Sequence, residues 1–229
     1  DLCLAGGVAL NCTMNGKILG ETPFERLYIQ PAAYDAGTSL GAALYVKHQL
    51  LGAPRDFVMD HTYWGLEYTP AQCRAALDAR GLRYQEMEDE PLADAAAALI
   101  TDGNIVGWYQ GRFEWGPRAL GNRSIVCDPR SDRMKDVLNS RIKHREAFRP
   151  FAPSVLEEKA GDWFEMSEPS PFMLMTCQVR KAQQAAVPAI THVDGTARQQ
   201  TVSRAANPKY WGLIHAFEKQ TGVPRSEEH

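Results

Sequence analysis

The 229-residue chain carries 25 Lys and Arg against 28 Asp and Glu, a net charge of −3, with 44% hydrophobic and 23% charged residues. That balance is the one expected of a soluble globular protein with ample core in one large domain or two modest ones, and its acidity argues against general nucleic-acid binding. With no run of about 18 apolar residues a membrane-spanning helix is excluded, and five scattered cysteines without a CxxC pair argue for free thiols in a reducing, cytoplasmic setting.

In chain order, Leu2–Ala5 reads as a buried strand that turns through Gly6-Gly7 into a helix from Val8 to Leu19. Leu27–Gln30 is a second strand, Pro31–Gly37 a loop, and Ser39–Leu51 a helix stopped by Gly52 and Pro54. Two strand–loop–helix units imply an α/β arrangement over residues 1–55, followed by an aperiodic linker at 56–68. The second domain, 69–229, opens on a Thr69-Pro70 cap and a helix to Arg80. The pattern then predicts a strand at Arg83–Met87, a helix at Pro91–Thr101, and strands at Ile105–Tyr109 and Ser124–Cys127. A helix at Asp132–Arg141 capped by Ser131, a strand at Phe172–Val179 and a helix at Pro208–Thr221 complete an α+β domain.

Residues 111–150 are the most informative stretch. They hold ten Lys and Arg against five acids, a local charge of +5 that leaves −8 for the remainder. Concentrated positive charge repels itself unless an anion neutralises it, and the interspersed Gly and Pro place arginines on turns where they can converge. A phosphate-bearing ligand is therefore expected; the alternative is a solvated basic face, against which stand Trp115, Phe148, Phe151 and Pro153 among the charges.

Other candidates leave alternatives open. Gly6-Gly7 after a strand permits close backbone approach to a phosphate or ribose, with Asn11 one turn on, or forms a plain tight turn. Asp35 either satisfies backbone donors at a helix start or presents a carboxylate to a metal or ribose. His192 and Asp194 lie in a dense polar segment around an Asp-Gly turn, which reads equally as a hairpin loop. His144, between Lys143 and Arg145, is kept neutral by their charge and is a weak acid–base candidate; His48, His61 and His215 read as structural or surface residues. No Ser-His-Asp, HExxH or P-loop pattern occurs.

Taken together, AGGVALN, YDAGTSLGAA, GRFEWGPRALGNRSIVCDPR, KHREAFRPFAP and HVDGTARQQTV resemble the O-carbamoyltransferases of nodulation-factor and antibiotic synthesis, over nearly the whole chain. The resemblance implies the C-terminal corner of an actin/sugar-kinase/heat-shock ATPase (ASKHA) domain, followed by a YrdC-like domain, with both ends truncated. It implies that carbamoyl phosphate and ATP form carbamoyl adenylate in the second domain. The first domain then passes the carbamoyl group to a hydroxyl of a sugar, aminoglycoside or antibiotic scaffold, helped by a divalent metal, iron or magnesium. By the same resemblance Gly6, Gly7, Val8 and Asn11 hold the adenosine part, with His192 and Asp194 in a less defined nucleotide-binding role, and Asp35 is a metal ligand. Arg118, Arg123, Lys143, Arg145 and Arg149 surround carbamoyl phosphate and the ATP phosphates. It places the metal-binding histidine pair upstream of Asp1 and a further segment after the TGVPRSEEH end. No nucleic-acid or membrane partner is implied, and a homodimer stays open. Two other readings are a threonylcarbamoyl-adenylate or tRNA-modification relative and an inactive nucleotide-binding fragment.

Overall fold

In the computed structural model, which describes residues 1–144, 146 and 151–228, helices and three small sheets alternate as a mixed α/β structure. β1 (Leu2–Leu4) and β2 (Leu27–Ile29) form a parallel pair, joined by α1 (Cys12–Glu21), and α2 (Thr38–Tyr45) follows, extended by a wide turn at Val46–Leu50. Two parallel strands with an intervening helix match the expected unit, but the first helix is broken. Gly7–Leu10 forms a separate 3₁₀ turn, and Asn11 restarts the helix by accepting from the Met14 N–H at 3.0 Å.

Residues 51–69 carry no helix; a β-bridge from Tyr63 to Glu114 and backbone bonds between 62–66 and 113–115 tie them to the chain that follows. α3 (Pro70–Asp78) begins with a capping box in which the Thr69 and Gln72 side chains satisfy each other's backbone, as the Thr-Pro signal predicts. The strand expected at Arg83–Met87 does not form. These residues are exposed and find no partner strand; an Arg74–Glu86 ion pair at 3.2 Å ties the segment to α3.

α4 (Asp89–Thr101) lays Ala93, Ala96, Ala97 and Ile100 against α7 (Pro208–Thr221), whose Tyr210, Leu213, Ile214 and Phe217 are fully buried. The alanine stripe lets the helix axes approach closely, and the large α7 side chains then fill the space over the sheet. That sheet holds β3 (Val106–Tyr109), β4 (Arg123–Cys127), β5 (Ala152–Leu156), β9 (Gln200–Val202) and β10 (Arg225–Glu228), in the order β3-β4-β10-β5-β9. All pairs are antiparallel except β5 with β9. The backbone of Arg225–Glu228, to which the sequence assigned no element, occupies the central position. A smaller antiparallel sheet joins β6 (Phe164–Glu165), which follows α6 (Ala160–Trp163), to β7 (Cys177–Val179) and β8 (Thr196–Ala197).

Two further expectations are corrected. The strand read at Phe172–Val179 shortens to Cys177–Val179, because Met173 stands at φ 54° and breaks the extended run. Phe172, Leu174 and Met175 instead pack against Ala9, Ile29 and Ala33, which closes the N-terminal unit onto the rest. The helix read at Asp132–Arg141 is α5 (Asp132–Leu138) plus a wide turn to Lys143, and the Ser131 side chain makes no capping bond.

Gly121 shows how tightly this core fixes the loop before β4. It sits at φ 99°, and a Cβ there would lie 2.3 Å from the Tyr210 ring. Gly121→Ala is expected to destabilise the chain by about 2–4 kcal/mol through clash and strain together, read as a lower urea midpoint with an unchanged slope.

Candidate functional site

Residues 115–122 form an irregular loop before β4 whose order comes from one carboxylate. Oε1 of Glu114 accepts from the backbone N–H groups of Leu120 at 2.9 Å, Asn122 at 2.7 Å and Arg123 at 3.0 Å. A carboxylate suits this because charge-assisted bonds are about twice as strong as neutral ones. The Asn122 side chain extends the network. Its Nδ2 donates to the Arg112 carbonyl, and its Oδ1 accepts from Gln110 at 2.9 Å and from Asn207 at 3.0 Å. Asn207 caps α7 through the Tyr210 N–H, accepts from Gln110, and donates to the Tyr63 hydroxyl at 2.9 Å. The Leu120 carbonyl accepts from both Tyr63 and Gln200, and Gln200 in turn accepts from Ser154 at 2.9 Å. Linker, loop, β5, β9 and α7 are thus joined by one web of amides and hydroxyls.

That web borders a cavity of about 290 Å³, lined by His61, Tyr63, Glu157, Gln200, Ser203 and Asn207 among others. Thr62, 1% exposed, also lines it, and its hydroxyl has no hydrogen-bond partner among the described residues. Of these, His61 reads from the sequence as a structural or surface residue, and Gln200 and Ser203 fall in the dense polar segment around Asp194; Thr62, Tyr63, Glu157 and Asn207 carried no signal. The one signal within reach was polar residues interrupting apolar strands, as at Gln200 and Thr201, and it does not show which polar groups meet.

The structure brings several expected residues together at a seam. The Gly6 N–H donates to the Ala33 carbonyl at 2.6 Å, so the turn carrying Gly6, Gly7 and Val8 lies against the loop that ends at Asp35. Gly116 packs on Pro31: a Cβ there would lie 3.2 Å from that carbonyl. Arg118, two residues on, places Nη2 3.8 Å from the Cys12 sulfur, next to Asn11. Its Nε is buried with no hydrogen-bond partner, and it forms no ion pair among the described residues. Asp35 is exposed in a short turn, its carbonyl accepting from the Thr38 hydroxyl. No three His, Cys, Asp or Glu side chains meet among the described residues, so Asp35 alone does not make a metal site.

The other cations of the basic stretch do not gather with Arg118 among the described residues. Arg123 lies 3.7 Å from the Tyr109 ring centre and 3.9 Å from that of Phe113, while donating to the carbonyls of Gln110, Gly111 and Asn122. Its charge is held by rings and carbonyls. Arg130 forks onto the buried Asp128, whose hydrogen bonds push the guanidinium above its ordinary value. Arg112 pairs with Glu67 at 3.4 Å, and Arg133 and Arg141 are exposed. Arg145 and Arg149, and the side chain of Lys143, lie outside the described residues. His144 is exposed at φ 47°.

His192 and Asp194 build a turn. Oδ1 of Asp194 accepts from the Thr196 N–H at 3.0 Å and hydroxyl at 2.7 Å, while His192 Nδ1 lies 3.1 Å from that hydroxyl. The Thr196 bonds hold Asp194 below the usual carboxylate range. Burial pushes His192 below its ordinary value and Arg198 adds to this, against the opposing charge of Asp194.

Residues 97–225 match the family described as Carbamoyltransferase C-terminus, and residues 1–44 match Carbamoyltransferase N-terminus. The chain is 49% identical over 228 residues to "Nodulation protein NolO" of Bradyrhizobium diazoefficiens, covering 97% of this chain and 41% of the relative. It is likewise 49% identical to "Nodulation protein NolNO" of Sinorhizobium fredii, covering 97% of this chain and 33% of that protein. It is 37% identical to "Nodulation protein U" of Rhizobium fredii, covering 98% and 36%. The chain thus spans about two fifths or less of these relatives.

The geometry makes two testable predictions. Glu114→Ala strands three backbone donors and is expected to cost about 3 kcal/mol, with faster amide exchange at Leu120, Asn122 and Arg123. His192 resists protonation in the folded state, so stability present above its ordinary value near 6.5 is lost as pH falls through that value. His192→Gln should flatten this part of the curve of urea midpoint against pH.

Proposed function

Because this chain belongs to the carbamoyltransferase family, we propose that its C-terminal part binds carbamoyl phosphate and ATP and forms carbamoyl adenylate from them. In this reading residues 1–55 are a corner of an ASKHA-type domain that serves the later transfer to a hydroxyl of a small-molecule acceptor, and residues 69–229 are YrdC-like.

One observation supports the reading most. Arg118 is a cation at the seam whose buried Nε has no hydrogen-bond partner and which has no acidic partner among the described residues. Arg123 and Arg130 already have their charge met by rings, carbonyls or a carboxylate. Arg123 also has a buried Nε without a partner, but its terminal nitrogens donate to three carbonyls, whereas Arg118 bonds no carbonyl or carboxylate among the described residues; a guanidinium so placed offers a planar fork matched to phosphate. It is fixed by the loop that Glu114 orders and by the approach of Gly116 to Pro31.

The chemistry needs such a group. Water first cleaves carbamoyl phosphate to carbamate and inorganic phosphate. Attack of the carbamate oxygen on the α-phosphorus of ATP then forms the new P–O bond as the bond to pyrophosphate breaks, and builds charge on the equatorial oxygens and on the departing pyrophosphate. A preorganised cation stabilises that charge without reorganising. Gly6, Gly7 and Asn11 border the same seam and are suited to the adenosine end. Asp35 would supply one carboxylate to a metal, but the residues present make no complete site, and no step here passes through one.

The test is pyrophosphate release by the chain given ATP and carbamoyl phosphate together. Release is expected, with Arg118→Ala slowing it about 10²–10³-fold while the thermal melt is kept. No release, or full release by the variant, contradicts the proposal; ATP binding without release would leave a nucleotide-binding module in its place.

A further inference from the structure

Away from Arg118, α1 packs on the chain that runs from β6 to β7 and borders a half-open cavity of about 340 Å³. The close wall is possible because residue 16 is glycine: a Cβ there would lie 2.1 Å from the Thr176 carbonyl oxygen. Two residues of the lining, Asn15 and Gln199, are each 1% exposed, and the side-chain oxygen of each has no hydrogen-bond partner among the described residues. The orientation of Asn15 is fixed, since its Nδ2 donates at 2.8 Å to the carbonyls of both Ala9 and Leu174. Its Oδ1 is therefore the end left over.

The remaining polar lining has the same character. Glu165 and Glu168 border the cavity, and no Lys, Arg or His does. Two lone acceptors and two carboxylates select a ligand that brings N–H donors and positive charge. Leu19 and Met166 give the cavity apolar wall as well, which suits a short hydrocarbon stem. A bare metal ion fits less well, because no three His, Cys, Asp or Glu side chains converge among the described residues.

We propose that this cavity binds a small organic ammonium ion. Asn15 Oδ1 and Gln199 Oε1 accept its N–H groups, Glu165 and Glu168 meet its charge, and its methylenes lie on Leu19 and Met166. Asn15 belongs to α1 and Gln199 to the loop before β9, so an occupant would tie the N-terminal unit to the larger sheet domain.

The test is calorimetric titration of the intact chain with the diamine cadaverine, with n-pentanol as an uncharged probe of the same stem length. Cadaverine is expected to bind and to weaken as salt rises, and pentanol is not expected to bind. Gln199→Leu and Glu168→Gln should each weaken cadaverine about tenfold or more. Gly20, at the cavity, has no atom within 4 Å of where a Cβ would stand. Gly20→Leu should therefore abolish binding while the thermal melt stays at or above the parent's, since leucine also favours helix. Absence of cadaverine heat in the parent, as ordered water alone would give, overturns the proposal. So does pentanol binding as well as cadaverine, or undiminished binding by Gly20→Leu.

Discussion

The structure turns on a single carboxylate oxygen that accepts three backbone N–H groups. Glu114 Oε1 gathers Leu120, Asn122 and Arg123 at the entry to β4, and residues 115–122 before that strand have no regular secondary structure to hold them otherwise. Irregular backbone is costly unless each polar group finds a partner. Once the loop is fixed, the Asn122 amide faces Gln110 and Asn207, and the Leu120 carbonyl faces Tyr63 and Gln200. Separate parts of the chain are then held together by these bonds. Such a web is worth more than the sum of its bonds, since breaking one member strands the others.

A second constraint acts across the seam. The N-terminal unit has only two strands and a small core, so it leans on Leu174 and its neighbours for burial. Cys12 and Asn15 of α1 donate to the carbonyls of Met173 and Leu174, and the Cys12 carbonyl accepts from the Thr176 N–H. The bend at Met173 that shortened the expected strand is what turns these groups toward α1. Arg118 is fixed by both constraints at once: its loop by Glu114, its surroundings by the docking of α1. A cation held on two sides with donors left over is a feature that binding energy from an anion can offset.

The sequence was most legible where local chemistry decides. The Thr69-Pro70 start and the helices read at Pro91–Thr101 and Pro208–Thr221 each correspond to an element that forms. The motifs AGGVALN and EWGPRALGNRSI pointed to the family and to the loop carrying Arg118. Legibility failed where long-range pairing decides. Nothing local distinguishes Arg123, stacked on two rings and bonded to three carbonyls, from Arg118, which meets neither among the described residues, because the rings come from Tyr109 and Phe113 across a turn. The same holds for Glu114, which reads as one of five acids in a basic stretch yet orders it. The amide web was unreadable because Tyr63, Asn122 and Asn207 lie far apart in the chain and carry no pattern of their own.

The proposed function rests on Arg118, whose guanidinium meets only the Cys12 sulfur among the described residues, holding the phosphate of carbamoyl phosphate, and not on positive charge in general. Calorimetric titration with carbamoyl phosphate of the parent, Arg118→Ala and Arg133→Ala tests it most directly, since Arg133 belongs to the same basic stretch but is exposed. The account predicts binding by the parent and by Arg133→Ala, and loss of at least about tenfold in affinity for Arg118→Ala. Equal weakening by both variants, or none by either, would contradict it.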